Sequence, residues 1–229
     1  MLLGAFGQTV EAVDSVHPLS MPIVSAHRGM RMIGEMRRRV RLVLSLRVLP
    51  LRVAHFVWCA YRHAQRVGDD FSLASAARPA DLADLLSLAR DRTMIVELGT
   101  GTAWSAIALA LDDRKRSVVS YDSTARHQRE AYLDLAGRDV RERIDLRDEP
   151  DCSGPRPRDL PVQLLFVDSS HERESVLAAF QTWRNALAPG AMVVFHDYDH
   201  PGYPGVREAV AELGLAGEER GGLFVWEAP

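Results

Sequence analysis

From about residue 94 to its end, the chain alternates between two spacings of apolar positions. Short apolar runs at 94–98, 117–121, 143–146, 162–167, 191–195 and 223–227 have the length and β-branched content of strands. The stretches between them, 102–111, 124–136, 172–187 and 206–213, repeat their apolar residues at helical spacing. Strand and helix in alternation predict an α/β fold, a Rossmann-like, mostly parallel, doubly wound sheet with helices on both faces. The last run, LFVWE, is expected at the sheet edge and antiparallel, and the proline- and glycine-rich stretch 148–161 as a surface connection.

Upstream the pattern is helical from Met30 to Gln65 with a break at Pro50, which predicts two helices. Leu42, Leu46, Leu49 and Phe56 would turn inward, while Arg37, Arg41, Arg52 and Arg62 share solvent-facing stripes. A third helix is expected from Pro79 to Ala89, since proline suits a first turn and Leu82, Leu85, Leu86 and Ala89 fall on one face. Residues 1–29 have no such pattern and are expected to be poorly ordered. The chain then divides into an N-terminal helical extension over 30–90, serving as a lid or dimerisation element, and the sheet domain over 91–229.

Composition narrows the function classes. The 229 residues carry 47% hydrophobic side chains, and the formal charge of −3 conceals ten arginines within residues 28–66 against the single acid Glu35. The longest charge-free run in that basic stretch is Val53–Tyr61, far short of the roughly 20 residues of a membrane span. Met1–Ala12 lacks the basic start of a secretory signal. Cys59 and Cys152, distant in sequence, make neither a disulfide framework nor a thiolate metal cluster, so a reducing, cytoplasmic setting is expected.

The richest local signal is MIVELGTGTAWS at 94–105, a strand running into an acid, Glu97, and a glycine-rich bend through Gly99, Thr100 and Gly101. A backbone that turns sharply and lets a ligand approach its amides cannot carry Cβ atoms. Asp122 ends the next apolar run 21 residues beyond Gly101, where a carboxylate can reach ribose hydroxyls. Glu97, Asp122, Asp168 and Asp197 all fall at the C-terminal ends of expected strands, where open α/β sheets bind ligands. A dinucleotide is disfavoured, because Trp104 stands where that fingerprint needs a third small residue.

ELGTGTAWSA at 97–106, YDS at 121–123, LLFVDSSH at 164–171 and FHDYDHPGYPGV at 195–206 together resemble class I S-adenosylmethionine-dependent methyltransferases. Within that group the chain is most similar to the catechol-type and natural-product-tailoring small-molecule O-methyltransferases. The resemblance implies a seven-stranded sheet. It also implies that Glu97, Gly99, Thr100 and Gly101 lie against the cofactor's methionine, with Trp104 beside it and Ser105 at its carboxylate. Asp122 would hold the ribose, Ser123 and Asp148 would lie near the adenine, and Asp168 would also contact the cofactor.

Asp168 precedes the pair His196-Asp197 by 28 and 29 residues, matching the spacing with which catechol-type enzymes chelate magnesium. That implies a divalent cation, Mg or Mn, on Asp168, His196 and Asp197. His196 departs from the family's acid or amide and suits softer metals better. Either the metal differs, the ring points elsewhere, or the site is metal-free. His171 stands where the catechol-type enzymes carry a lysine, and a histidine there can remove a hydroxyl proton near neutral pH, which names His171 and Asp168 as catalytic. His200 is a second candidate base, on a loop whose Tyr203 is expected beside the acceptor.

The leading expectation is methyl transfer to a hydroxyl of a small-molecule acceptor, plausibly in secondary metabolism, with no nucleic-acid partner and no membrane span. Metal-independent N-methylation of a small amine or amino sugar is the alternative within enzymes. A non-catalytic, arginine-rich scaffold on a membrane surface or nucleic acid is the alternative of another class.

Overall fold

The computed structural model describes Val40 and residues 42–229. Strands β1 (Met94–Leu98), β2 (Ser117–Tyr121), β3 (Ile144–Arg147), β4 (Val162–Val167), β5 (Leu187–Phe195), β6 (Glu218–Arg220) and β7 (Leu223–Glu227) build one sheet. Their order is β3-β2-β1-β4-β5-β7-β6. Neighbours among the first five pair in parallel, whereas β7 runs antiparallel to both β5 and β6. The expected antiparallel run at 223–227 is therefore one place in from the edge, and the seventh strand is the short, polar β6, whose sequence EER has no apolar period.

The described helices are α1 (Leu51–Val67), α2 (Asp70–Ser75), α3 (Pro79–Leu88), α4 (Trp104–Asp112), α5 (Gln128–Ala136), α6 (Arg138–Arg141), α7 (Arg173–Trp183) and α8 (Pro204–Glu212). Alternate residues of each central strand serve opposite faces. Ile95, Leu164, Phe166 and Val194 pack in one cluster with Val53 and Phe56 of α1, Leu82 and Leu85 of α3, Ile107 of α4 and Tyr132 of α5. Val96, Leu98, Leu165, Val193 and Phe195 pack in the other with Val176, Phe180 and Trp183 of α7 and Val206 of α8. Helices thus cover both faces. Burying each large apolar side chain contributes about 1.5–3 kcal/mol, so the helices before β1 are held by the same core as the sheet.

Pro50 ends one helical stretch and precedes α1, as its missing N–H and fixed φ require. Leu46, Leu49 and Phe56 are buried and Arg52 and Arg62 exposed. Arg37, Arg41 and the expectation for residues 1–29 lie outside the described residues. Two helix boundaries differ by several residues from the sequence reading, and one short helix was not expected. The helix expected from residue 124 begins at Gln128, because Asp122 ties the intervening turn by accepting from the Thr124 N–H at 2.8 Å. The helix expected to reach 187 ends at Trp183, where a 3₁₀ turn, Arg184–Ala186, leads into β5. The short α2 carries no apolar repeat and is set by its cap, Asp69 accepting from the Ser72 N–H at 3.1 Å.

Candidate active site

β1 and β4 are neighbours whose following helices, α4 and α7, leave to opposite faces of the sheet. Their C-terminal ends therefore form the crevice where such sheets take ligands. The glycine bend fills it. Gly99 has φ +100°, and a Cβ there would lie 2.1 Å from the Asp168 carbonyl oxygen, so only glycine lets the loop pass the end of β4. Gly101, at φ +51°, donates its N–H to Asp122 Oδ2 at 2.9 Å, which ties the bend to the tip of β2. Ala103 is also left-handed, at φ +69°, and opens α4.

Beyond the strand ends lies a cavity of about 710 Å³. Of the residues expected at a cofactor, Gly99, Thr100, Gly101, Trp104, Ser105, Asp122, Ser123 and Asp168 line it. Glu97 and Asp148 do not. Glu97 is fully buried beneath the bend, where Ser105 and Ser120 donate to its two oxygens and Ser120 shares a 2.7 Å hydrogen bond with Thr100. It acts on the loop from below. Asp148 instead accepts from Arg129 Nη1 at 2.7 Å, and Nη2 of the same guanidinium donates to Asp122 Oδ2 at 2.9 Å.

On the other wall, at the tips of β4 and β5, two histidines and three carboxylates interlock. His171 Nε2 lies 2.9 Å from Asp197 Oδ2. The ring of His196 brings Nδ1 to 2.9 Å from Asp168 Oδ1 and 3.4 Å from Asp197, with Nε2 facing Asp81 at 3.7 Å. Asp197 holds a left-handed φ of +54°, strain of the kind that persists where surrounding contacts fix a functional side chain. Tyr203 is sandwiched between two rings, His171 at 3.9 Å and His200 at 4.3 Å.

Residues 96–198, β1 through the loop after β5, match a family model described as a methyltransferase domain. This chain carries a methyltransferase domain. Its fold is also that of solved O-methyltransferases. TomG of Streptomyces achromogenes, involved in tomaymycin synthesis and solved with S-adenosylmethionine, is similar at 22% identity and TM-score 0.56, over 74% of this chain and 90% of that one. An O-methyltransferase of Bacillus cereus, solved with S-adenosylhomocysteine, shows 14% identity and TM-score 0.60 over 79% and 91%. The calicheamicin-pathway TDP-rhamnose 3′-O-methyltransferase shows 16% and 0.53 over 77% and 92%. No curated protein matches the sequence.

Burial and hydrogen bonding compete in setting the electrostatics around the cavity. Burial pushes the Glu97 carboxyl up to about 7, against the opposing hydrogen bonds of Ser105 and Ser120 and with help from Asp168 and Asp122. Burial works against a charged His196 as well, but hydrogen bonding to Asp168, Asp197 and Asp81 prevails and the ring is pushed up to about 12. Asp197 is held well below the usual carboxylate range, where desolvation is outweighed by hydrogen bonds from His171 and His196.

Within the expected ligand trio, Asp168 and Asp197 each stand within 3.4 Å of His196 Nδ1. The ring's Nδ1 faces Asp168 and Asp197 and its Nε2 faces Asp81, so both ring nitrogens are turned toward carboxylates. The donor atoms that gather within 4.8 Å of one another belong to Asp168, His171 and Asp197. Two carboxylates and an imidazole are a chemically sound set for a divalent cation such as Mn or Zn.

Several site residues escaped the sequence reading. Asp81 of α3 is 2% exposed and accepts from Arg78 Nε at 2.6 Å and from the Gly222 N–H at 3.2 Å. Asp151 lines the cavity and accepts from Ser169 at 2.6 Å. Phe71 and Arg126, also in the lining, stack on each other.

Proposed function

We propose that this methyltransferase moves the methyl group of S-adenosylmethionine to a hydroxyl of a small-molecule acceptor. The observation carrying the reading is the His171–Asp197 contact, 2.9 Å long, on the wall of the cavity that the glycine bend also lines. A sulfonium donor is already activated, so the protein's tasks are to align oxygen, methyl carbon and sulfur and to accept the hydroxyl proton.

In this reading the methionine of the cofactor lies against Gly99–Gly101 and Ser105, the ribose on Asp122, and the adenine toward Ser123 and Asp151. His171 gives its Nε2–H to Asp197, which leaves Nδ1 for the acceptor's proton. As the O–H bond breaks, the oxygen's electron pair forms the O–CH₃ bond, the C–S bond breaks onto sulfur, and His171 becomes an imidazolium beside the Asp197 carboxylate. Phe71 and residues 74–78 of the N-terminal extension, which line the cavity, would wall the acceptor side. The natural-product roles in two of the similar structures' names support a small acceptor.

The clustering of Asp168, His171 and Asp197 favours a second reading in which these residues hold a divalent cation. The ion would supply a Lewis acid that lowers the acceptor hydroxyl's pKa.

The test is transfer from methyl-labelled S-adenosylmethionine to matched phenol, sugar and amine acceptors, with and without a chelator. Label on oxygen that survives chelation supports His171 as base. Label on oxygen lost to the chelator supports the cation, and label on amines alone contradicts both.

A further inference from the structure

Among the described residues, the buried polar side-chain atoms without a hydrogen-bond partner are Trp104 Nε1, Arg126 Nε and His196 Nε2. All three are nitrogens, and all three residues line the same cavity. His196 Nε2 at least faces the Asp81 carboxylate. Arg126 faces no acid: among the described residues no carboxylate lies within ion-pair reach of it, whereas Arg78, the other arginine of the lining, is taken by Asp81 and Asp199.

Arg126 is nevertheless fixed in place. Its guanidinium lies over the Phe71 ring, 3.6 Å from the centroid, and that ring covers the open side of Gly101 at 3.8 Å from where a Cβ would stand. A guanidinium whose carbon sits over an aromatic face can still offer its N–H groups to an anion. Leaving its Nε–H buried and unpaired costs about 1–3 kcal/mol, which a ligand oxygen would recover.

We propose that Arg126, clasped by Phe71, is the anion-binding group of the cavity and takes a carboxylate of a bound ligand. This rests on the cavity being the methyltransferase's ligand site. Two ligands carry that chemistry into it, the amino-acid arm of the cofactor and an acidic acceptor, and a bidentate guanidinium–carboxylate pair would serve either.

Calorimetry on the full chain separates them. S-adenosylhomocysteine is compared with 5′-methylthioadenosine, which lacks the amino-acid arm, and benzoate with benzyl alcohol on protein saturated with S-adenosylhomocysteine. Arg126→Gln is expected to weaken one carboxylate-bearing probe by about ten- to a hundredfold and leave its neutral counterpart within about twofold. Loss confined to S-adenosylhomocysteine assigns Arg126 to the cofactor, and loss confined to benzoate assigns it to the acceptor. Phe71→Leu, which keeps the charge and removes its platform, is expected to weaken the same probe by less. The proposal is overturned if Arg126→Gln leaves every affinity unchanged, or weakens charged and neutral probes alike. If the wild type binds no S-adenosylhomocysteine, the methyltransferase reading fails instead, and benzoate against benzyl alcohol on the free protein decides whether Arg126 binds carboxylates.

Discussion

His171, at the start of the segment leading into α7, and Asp197, just past β5, join through a 2.9 Å contact between Nε2 and Oδ2. The pair spans 26 residues of sequence and exists only because β4 and β5 lie side by side. A carboxylate behind an imidazole fixes the ring's tautomer and stabilises its protonated form, which is the demand placed on a base that receives a proton as a methyl group arrives.

His171→Gln is expected to lower kcat by about 10²–10⁴ while S-adenosylhomocysteine affinity stays within about threefold. Asp197→Asn should produce a loss of similar size, and the double variant should be little worse than either, because the two residues act as one unit. Steady-state kinetics beside calorimetry checks this. Additive losses would show that the residues work separately.

Gly99→Ala should be among the most damaging small substitutions. The added Cβ would collide with the Asp168 carbonyl, and φ +100° is unfavourable for alanine. A cost of about 1–3 kcal/mol in stability is expected, together with weakened cofactor binding. Gly101→Ala meets nothing closer than 3.8 Å and should cost less, being strained only by its φ of +51°. Denaturant unfolding ranks the two, and the reverse order would contradict the loop geometry.

Glu97 makes stability depend on pH in a defined direction. Its folded value of about 7 lies above the ordinary 4.5, so folding takes up a proton between those values. Its stabilising contribution is fully present below pH 4.5 and lost as pH rises through about 7. Glu97→Gln, which stays neutral, removes that dependence. The wild type should lose roughly 3 kcal/mol relative to the variant between pH 4.5 and 8. Urea unfolding of both proteins across this range tests it, and parallel pH profiles would refute the buried, proton-binding carboxyl.

The strand-tip residues were legible in the sequence because position carried the information. Gly99, Asp122, Asp168 and Asp197 end apolar runs, and in a parallel sheet such ends converge wherever the strands are neighbours. Glu97 was legible as part of the motif but not as a buried support. Its side chain falls on the face of β1 toward α4, and a run of five residues does not reveal whether the tip is covered. Asp81 was not legible at all. It occupies the first turn of α3, where an acid reads as a partner of the helix dipole, and its burial depends on Gly222, 141 residues away. The surroundings of His196 were not legible for a related reason, since the acid facing its Nε2 comes from that distant helix.

Arg129 is the support behind Asp122. Its side chain is 5% exposed and donates to Asp122, Asp148, the Gly101 carbonyl and the Thr124 carbonyl. Arg129→Met should cost about 3–5 kcal/mol, the effect of stranding a buried partner. Asp148→Asn should change stability and S-adenosylhomocysteine affinity little, because the Asp148 side chain is 60% exposed. Thermal unfolding and calorimetry check both, and a strong loss of cofactor in Asp148→Asn would place that residue at the adenine after all.

In the proposed function the bend Gly99–Gly101 and the carboxylate of Asp122 form a seat for the sulfonium cofactor. Calorimetric titration of the full chain with S-adenosylhomocysteine tests it most directly. One-to-one binding is expected, weakened about tenfold or more by Asp122→Ala. No heat from the wild-type protein, or undiminished binding in Asp122→Ala, would contradict it.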